Sequence, residues 1–386
     1  MPKHHHISLS RGDLDLTYEA DEFELDELLD FAERINPKRA FLFVSKVLGR
    51  HIPVAPSTMR QAFATLANKI PNDLPTPLVV IGMAETAVGL SAGVHECLKA
   101  RYPSAYLLNS TRHTQNAPLF ATFSEEHSHA STHLIYLSDD ESVNHAVRCA
   151  KTIIMVDDEA STGKTCQNVM GALIASGMTQ LEQVHLATLV DWSLGKMVDG
   201  TFVMPDRTVG FYRHHLLSGS WRWTPTHDKA VNMPDVATTK AGNCPIFPLP
   251  SWGRTPTQNS MDGLPNLYGA LPDDIGDYVG KSVLVLGVNE FVWLPFLLAE
   301  RLENQGIIVK FSAITRSPIA QGGAIAHVHH FADSYGLGMT NFVYNVDFDA
   351  WDLVIVCAET PPDSMDKLFD RPNIAIVSPF NHKDNS

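Results

Sequence analysis

The stretch Ile153-Ile154-Met155-Val156-Asp157-Asp158-Glu159-Ala160-Ser161-Thr162-Gly163-Lys164-Thr165 decides how this chain reads. Four apolar residues predict a buried strand, two carboxylates stand at its end, and a hydroxyl-rich turn opens a helix. A helix N-terminus presents unpaired backbone N–H groups and the positive end of its dipole. A phosphate seated at residues 161–165 would take several charge-assisted bonds, each worth roughly 1.5–3 kcal/mol. Asp157 and Asp158 would repel that phosphate unless they faced a ribose diol or a hydrated metal. A phosphorylated sugar satisfies both ends of the motif.

Two other readings use the same residues. Gly163-Lys164-Thr165 is the tail of a nucleoside-triphosphate P-loop, but that loop needs a glycine five positions earlier, where Asp158 stands. A buried strand with an acidic exit and a capped helix would also need no ligand. Against these, the four apolar residues, paired acids and Thr-Gly-x-Thr turn resemble the 5-phosphoribosyl-1-diphosphate (PRPP) loop of type I phosphoribosyltransferases. The resemblance implies that Asp157 and Asp158 hold the ribose hydroxyls, directly or through Mg2+ or its waters. It implies too that Glu159, Ala160, Ser161, Thr162, Gly163, Lys164 and Thr165 wrap the 5′-phosphate. Glu159 and Lys164 depart from the family, which more often has an apolar or small residue there.

Working outward, residues 78–82 predict a strand, and Met83-Ala84-Glu85-Thr86-Ala87 opens a helix. Small residues at such a turn let backbone N–H groups approach an anion, although any tight strand-to-helix turn needs them too. In the resembled family this turn, with Ala84, Glu85 and Thr86, holds pyrophosphate. A second strand at residues 105–108 exits towards Arg112, placed to grip pyrophosphate bidentately. Residues 114–131 lack a period and stand where the family carries a mobile lid. Their Glu125-Glu126-His127-Ser128-His129 run offers a metal site as an alternative, although histidines two apart do not share a helix face.

Arg39, Lys46, Arg50 and His51 lie in an apolar segment and are candidates for closing the site, with ordinary surface charge as the alternative. Asp191-Trp192 ends another strand, to contact a base or metal or merely to cap the core. Residues 1–36 read as an N-terminal extension with a strand and then an amphipathic helix ending before Pro37, and the His4-His5-His6 start as disordered surface rather than a metal site. Residues 37–225 form the transferase-like domain, 226–279 a proline-rich linker, and 280–386 a second, smaller α/β domain.

That second domain echoes the first. Strand, glycine, helix and strand recur from Ser282 to Arg316; Glu85 and Arg112 stand 27 positions apart, and Glu290 and Arg316 stand 26 apart. Either it is a degenerate copy, or two α/β units share this grammar by default. A copy would allow an intrachain pseudo-dimer, alongside an ordinary homodimer, and would leave Arg316 to bind an anion of its own. It lacks the paired acids and phosphate turn: Cys357-Ala358-Glu359-Thr360 stands there instead. Its Thr315-Arg316-Ser317-Pro318 sequence resembles the motif for which a C-terminal TRSP domain is named, in two-domain phosphoribosyltransferases of bacterial clusters associated with tellurium resistance and stress.

The expected fold is therefore α/β: a type I phosphoribosyltransferase-like parallel sheet flanked by helices, then the smaller α/β domain. The resemblance implies an enzyme that uses PRPP and Mg2+ to join ribose 5-phosphate to a nucleobase-like acceptor, or the reverse, in the metabolism of a nucleoside-like compound. A non-catalytic sensor of PRPP or a nucleotide on the same fold is the alternative. The net charge of −14 argues against non-specific binding to nucleic acid or anionic membranes. No apolar run reaches about 18 residues. Five cysteines without a C-x-x-C pair fit a reducing cytoplasm rather than a disulfide framework.

Overall fold

The computed structural model describes residues 1–36, 39–124, 132–193, 197–203, 208–226 and 242–381. Strands Leu78–Gly82, Thr152–Ala160 and Gln183–Asp191 are almost continuously apolar because helices or loops cover both faces. Val80, Ile154 and Val156 point into one core, while Val79, Ile81, Ile153 and Met155 point into another. These strands pair in parallel, with Tyr106–Leu107 beyond Leu78–Gly82 and Thr208–Pro225 beyond Gln183–Asp191.

Residues 1–20 belong to the same sheet. Lys3–Leu9 and Gly12–Ala20 form a hairpin that pairs antiparallel with the far half of the long Thr208–Pro225 strand. His4, His5 and His6 thus lie on an exposed edge strand and not in disordered surface, because the hairpin partner Gly12–Ala20 orders them. The expected helix before Pro37 is only Leu25–Leu28; Leu29–Glu33 then pairs with Phe41–Ser45 as a two-stranded hood. Apolar residues in that segment suit either period, and tertiary pairing decides. Within the expected lid, Leu119–Ser124 is a strand, and it pairs with Thr132–Tyr136 just beyond it. The Glu125–His129 cluster lies outside the described residues.

The second sheet runs Ile308–Ile314, Ser282–Val288, Leu353–Cys357, Ile374–Val377, all parallel. This repeats the order Tyr106–Leu107, Leu78–Gly82, Thr152–Ala160, Gln183–Asp191 of the first. Each half also adds an antiparallel pair after its second edge strand, anchored by a bridge at Thr111 to Leu134 in one and Thr315 to Phe342 in the other. Helices Pro56–Asn68 and Val88–Leu98 of the first half meet Trp293–Asn304 of the second, with Phe63 edge-on to Phe296 at 5.3 Å. One hydrophobic core consequently runs from Leu14 to Val377. The proline-rich segment wraps this joint: Thr257 pairs with Leu107, and Asn109 N donates to Gly253 O.

Candidate active site

A cavity of about 240 Å3 opens at the carboxyl edge of the first sheet, where open α/β sheets bind ligands. Thr152–Ala160 delivers Asp157, Asp158 and Glu159 to it, and residues 161–165 continue its rim. The turn closes on Gly163, whose φ of +70° lies in the left-handed region, and helix Lys164–Ala175 begins at the next residue. A Cβ at Gly163 would stand 2.3 Å from Met197 Sδ, so a side chain there would displace that methionine as well as strain the backbone. Asp157 accepts from its neighbour's backbone N–H at 3.0 Å, which fixes one carboxylate against the chain. Burial and the nearby Asp157 push the Cys166 thiol up to about 12, so it is no nucleophile near neutral pH.

The opposite wall is the turn after Leu78–Gly82. Gly82 is held by Asn109, whose Oδ1 accepts from Gly82 N at 3.0 Å and from Ser91 Oγ at 2.7 Å. Ala84 N donates to Ser110 Oγ at 2.9 Å, and the Ala84–Glu85 peptide is cis. Ala84, Glu85, Thr86 and Arg112 all line the cavity, and Arg112 donates to Ala84 O at 3.4 Å. All the residues expected from the sequence at these two turns therefore surround one space.

The third wall comes from elements with weaker sequence signals. Arg39, Phe43, Ser45, Arg50 and His51 line it from the hood and the segment beyond, and Thr315, Arg316 and Ser317 line it from the second half. Arg39 pairs bidentately with Glu159 and lies over Phe41 and Phe43 at 4.7 and 5.0 Å. Phe43 in turn stacks on Trp192 at 4.7 Å. Trp192 thus supports the cavity wall from within the core, and Asp191 is taken by Arg213 at 2.8 Å; neither lines the cavity. Lys46 does not close the site either, since it donates to Asp26 O on the surface. Burial, then the Arg50 charge, lower His51 to about 3, so it is a neutral imidazole, and its Nε2 is buried without a partner.

Six cationic side chains line the cavity, Arg34, Arg39, Arg50, Arg112, Lys164 and Arg316, against four carboxylates. The cavity is thus net positive inside a chain of charge −14, which suits a polyanionic ligand. Glu85 is almost buried; burial opposes its charge, but Arg316, Arg50 and Arg112 outweigh that and hold it below the usual range. Its carboxylate meets Arg50 at 3.2 Å and Arg316 at 3.0 Å.

A reciprocal contact joins the two halves. Glu290, at the position matching Glu85, accepts from Thr111 Oγ1 at 2.6 Å and from Arg112 N at 2.8 Å. Each half therefore offers its glutamate to the other half's Thr-Arg turn. Burial would raise Glu290, but His113, Arg254, Arg316 and the Thr111 hydroxyl hold it down to about 2. Arg254, from the wrapping segment, carried no sequence signal; it bonds Glu359 at 2.8 and 2.9 Å and approaches Glu290 at 3.4 Å.

Comparison with known proteins agrees with this architecture. Residues 28–202 match the family described as phosphoribosyl transferase, and residues 258–371 match the TRSP domain that lies C-terminal to it. The chain belongs to the phosphoribosyl transferases, glycosyltransferases by class, that carry this second domain. No protein in the curated comparison matches. Among solved structures it is similar to the adenine phosphoribosyl transferase of Trypanosoma brucei in complex with AMP, pyrophosphate and ribose-5-phosphate, at 10% identity over 52% of this chain and 82% of that one, TM-score 0.35. It is also similar to the adenine enzyme of Rhodothermus marinus, at 13% identity over 49% and 94%, TM-score 0.32. The orotate phosphoribosyltransferase of Aeropyrum pernix matches at 16% identity over 50% and 88%, TM-score 0.29. Among the described residues no helix is long and apolar enough to cross a membrane.

Proposed function

We propose that the protein transfers a 5-phosphoribosyl group between PRPP and a ring nitrogen of a nucleobase-like acceptor, with pyrophosphate as the other product. The supporting observation is the convergence of the Asp157-to-Thr165 stretch, the Ala84-Glu85-Thr86 turn and Arg112 on one net-positive cavity. In this reading residues 159–165 hold the 5′-phosphate at the helix N-terminus. Asp157 and Asp158 hold the ribose hydroxyls, and the second turn with Arg112 holds the diphosphate. The hood, with Phe43 backed by Trp192, offers a flat apolar surface for the acceptor ring.

As the bond from C1′ to the diphosphate oxygen breaks, positive charge grows on the ribose and negative charge on the leaving group. The acceptor nitrogen supplies the electron pair for the new bond and releases its proton to solvent. Asp157 and Asp158 stabilise the first charge and Arg112 the second, in a site fixed before reaction begins. No side-chain nucleophile is required. Among the described residues no three His, Cys, Asp or Glu could hold a metal. Mg2+ fits nonetheless, because it binds through one or two carboxylates, here Asp157 and Asp158, plus ligand phosphates and water. When bound it would neutralise charge on the departing diphosphate.

Incubation with PRPP, Mg2+ and a panel of nucleobases, assayed for pyrophosphate, tests the reading. Acceptor-dependent release is expected. PRPP bound tightly with no release from any base would instead mark the fold as a sensor.

A further inference from the structure

The Thr315-Arg316-Ser317-Pro318 motif has no part in the chemistry above, yet its first three residues line the cavity. We propose that Arg316 is a diphosphate-binding residue of the transferase site, lent by the second domain, so that the site is complete only with that domain docked. The proposal rests on the reading of the cavity as a sugar-diphosphate site.

Arg316 leaves the carboxyl end of Ile308–Ile314 and crosses to the first half. Its side chain is only 8% exposed; Nε donates to Glu85 at 3.0 Å, and Nη1 has just a weak contact with Met339 Sδ at 4.0 Å. Nη2 is buried with no partner. A guanidinium carries five donors, and leaving the two on Nη2 buried and unmet costs free energy that a bound anion would return. Glu85 belongs to the turn assigned to pyrophosphate, whereas the 5′-phosphate turn at residues 161–165 is a different wall. The unmet edge therefore serves the diphosphate. Glu85 orients Arg316 and Arg50 and is not left as a bare charge facing the ligand.

In the second half, Glu359 stands just past the end of Leu353–Cys357, the strand matching the one that carries Asp157, and it is already paired. Arg254 and the Tyr335 hydroxyl fill the matching position, both bonded to Glu359. Arg316 itself reaches across to Glu85 and lines the first half's cavity.

The test is calorimetric titration of the full chain with Mg2+-pyrophosphate and, separately, with ribose 5-phosphate. Arg316→Ala should weaken pyrophosphate roughly 10- to 100-fold, as expected for one charge-assisted contact, and leave ribose 5-phosphate within about twofold. Arg316→Lys, which keeps the charge without the second N–H edge, should lose an intermediate factor for pyrophosphate alone, and it decides the matter if the alanine variant does not fold. Arg60→Ala breaks the inter-domain pair with Glu300, away from the cavity, and should leave both affinities within about twofold. Unchanged pyrophosphate affinity in the Arg316 variants, or equal losses for both ligands, would overturn the proposal. Failure of the unaltered protein to bind either ligand would sink the reading of the cavity as well.

Discussion

Gly163 and Gly171 show how one residue type answers to two environments. Gly163 sits at φ +70° against Met197, while Gly171, inside helix Lys164–Ala175, has nothing within 4 Å of a new Cβ. Gly163→Ala should cost about 1–2 kcal/mol from the left-handed backbone alone and weaken ribose 5-phosphate. Gly171→Ala should gain about 0.5–1 kcal/mol and leave binding alone. Urea unfolding and calorimetry read both, and equal effects would contradict the turn geometry. The residues in this stretch were legible in the sequence because each chemical need left a mark: paired acids, hydroxyls, a glycine. Arg39 and His51 were legible only as cations in an apolar segment, and Lys46 carried the same signal without reaching the cavity. Charge alone does not tell which way a side chain points.

Elements with a single strong environment read well from sequence. Leu78–Gly82 matches its expected bounds because burial on all sides makes it apolar throughout. The hood did not, since Leu29–Glu33 takes its strand form from pairing with Phe41–Ser45. The wrapping segment showed no period because its backbone is met at isolated points, and its key side chain, Arg254, is recognisable only through Glu359 and Glu290 in space. Arg254→Ala leaves those two buried carboxylates without their shared cation, and a loss of about 3–5 kcal/mol is expected. Thermal unfolding of the full chain would measure it. A loss below about 1 kcal/mol would mean that the wrap does not hold the halves together.

Across the whole molecule, the echo between the halves was visible in the spacing of Glu and Thr-Arg positions, but their reciprocal exchange was not, because sequence does not state which copy a side chain contacts. The same buried joint predicts acid sensitivity. Burial above all lowers His51 to about 3 and His95 and His113 to about 4. Between pH 6.5 and about 4 the unfolded chain therefore binds more protons than the folded one, and stability falls as pH falls, by up to about 1.4 kcal/mol per pH unit for each such histidine. Glu290, held down to about 2, adds a further loss once pH drops below its usual range. Denaturant titrations at pH 7, 6 and 5 should show the slope; a flat profile would mean that these groups titrate freely in the folded state.

The most direct measurement of the central claim is the melting shift produced by PRPP with Mg2+ in the unaltered protein and in the Asp157→Asn, Asp158→Asn double variant. Ligand at about 100 times its Kd should add roughly 2.7 kcal/mol to the unaltered protein, and the double variant should lose most of that shift. An equal shift in both would place the ligand somewhere other than the stretch from Ile153 to Thr165.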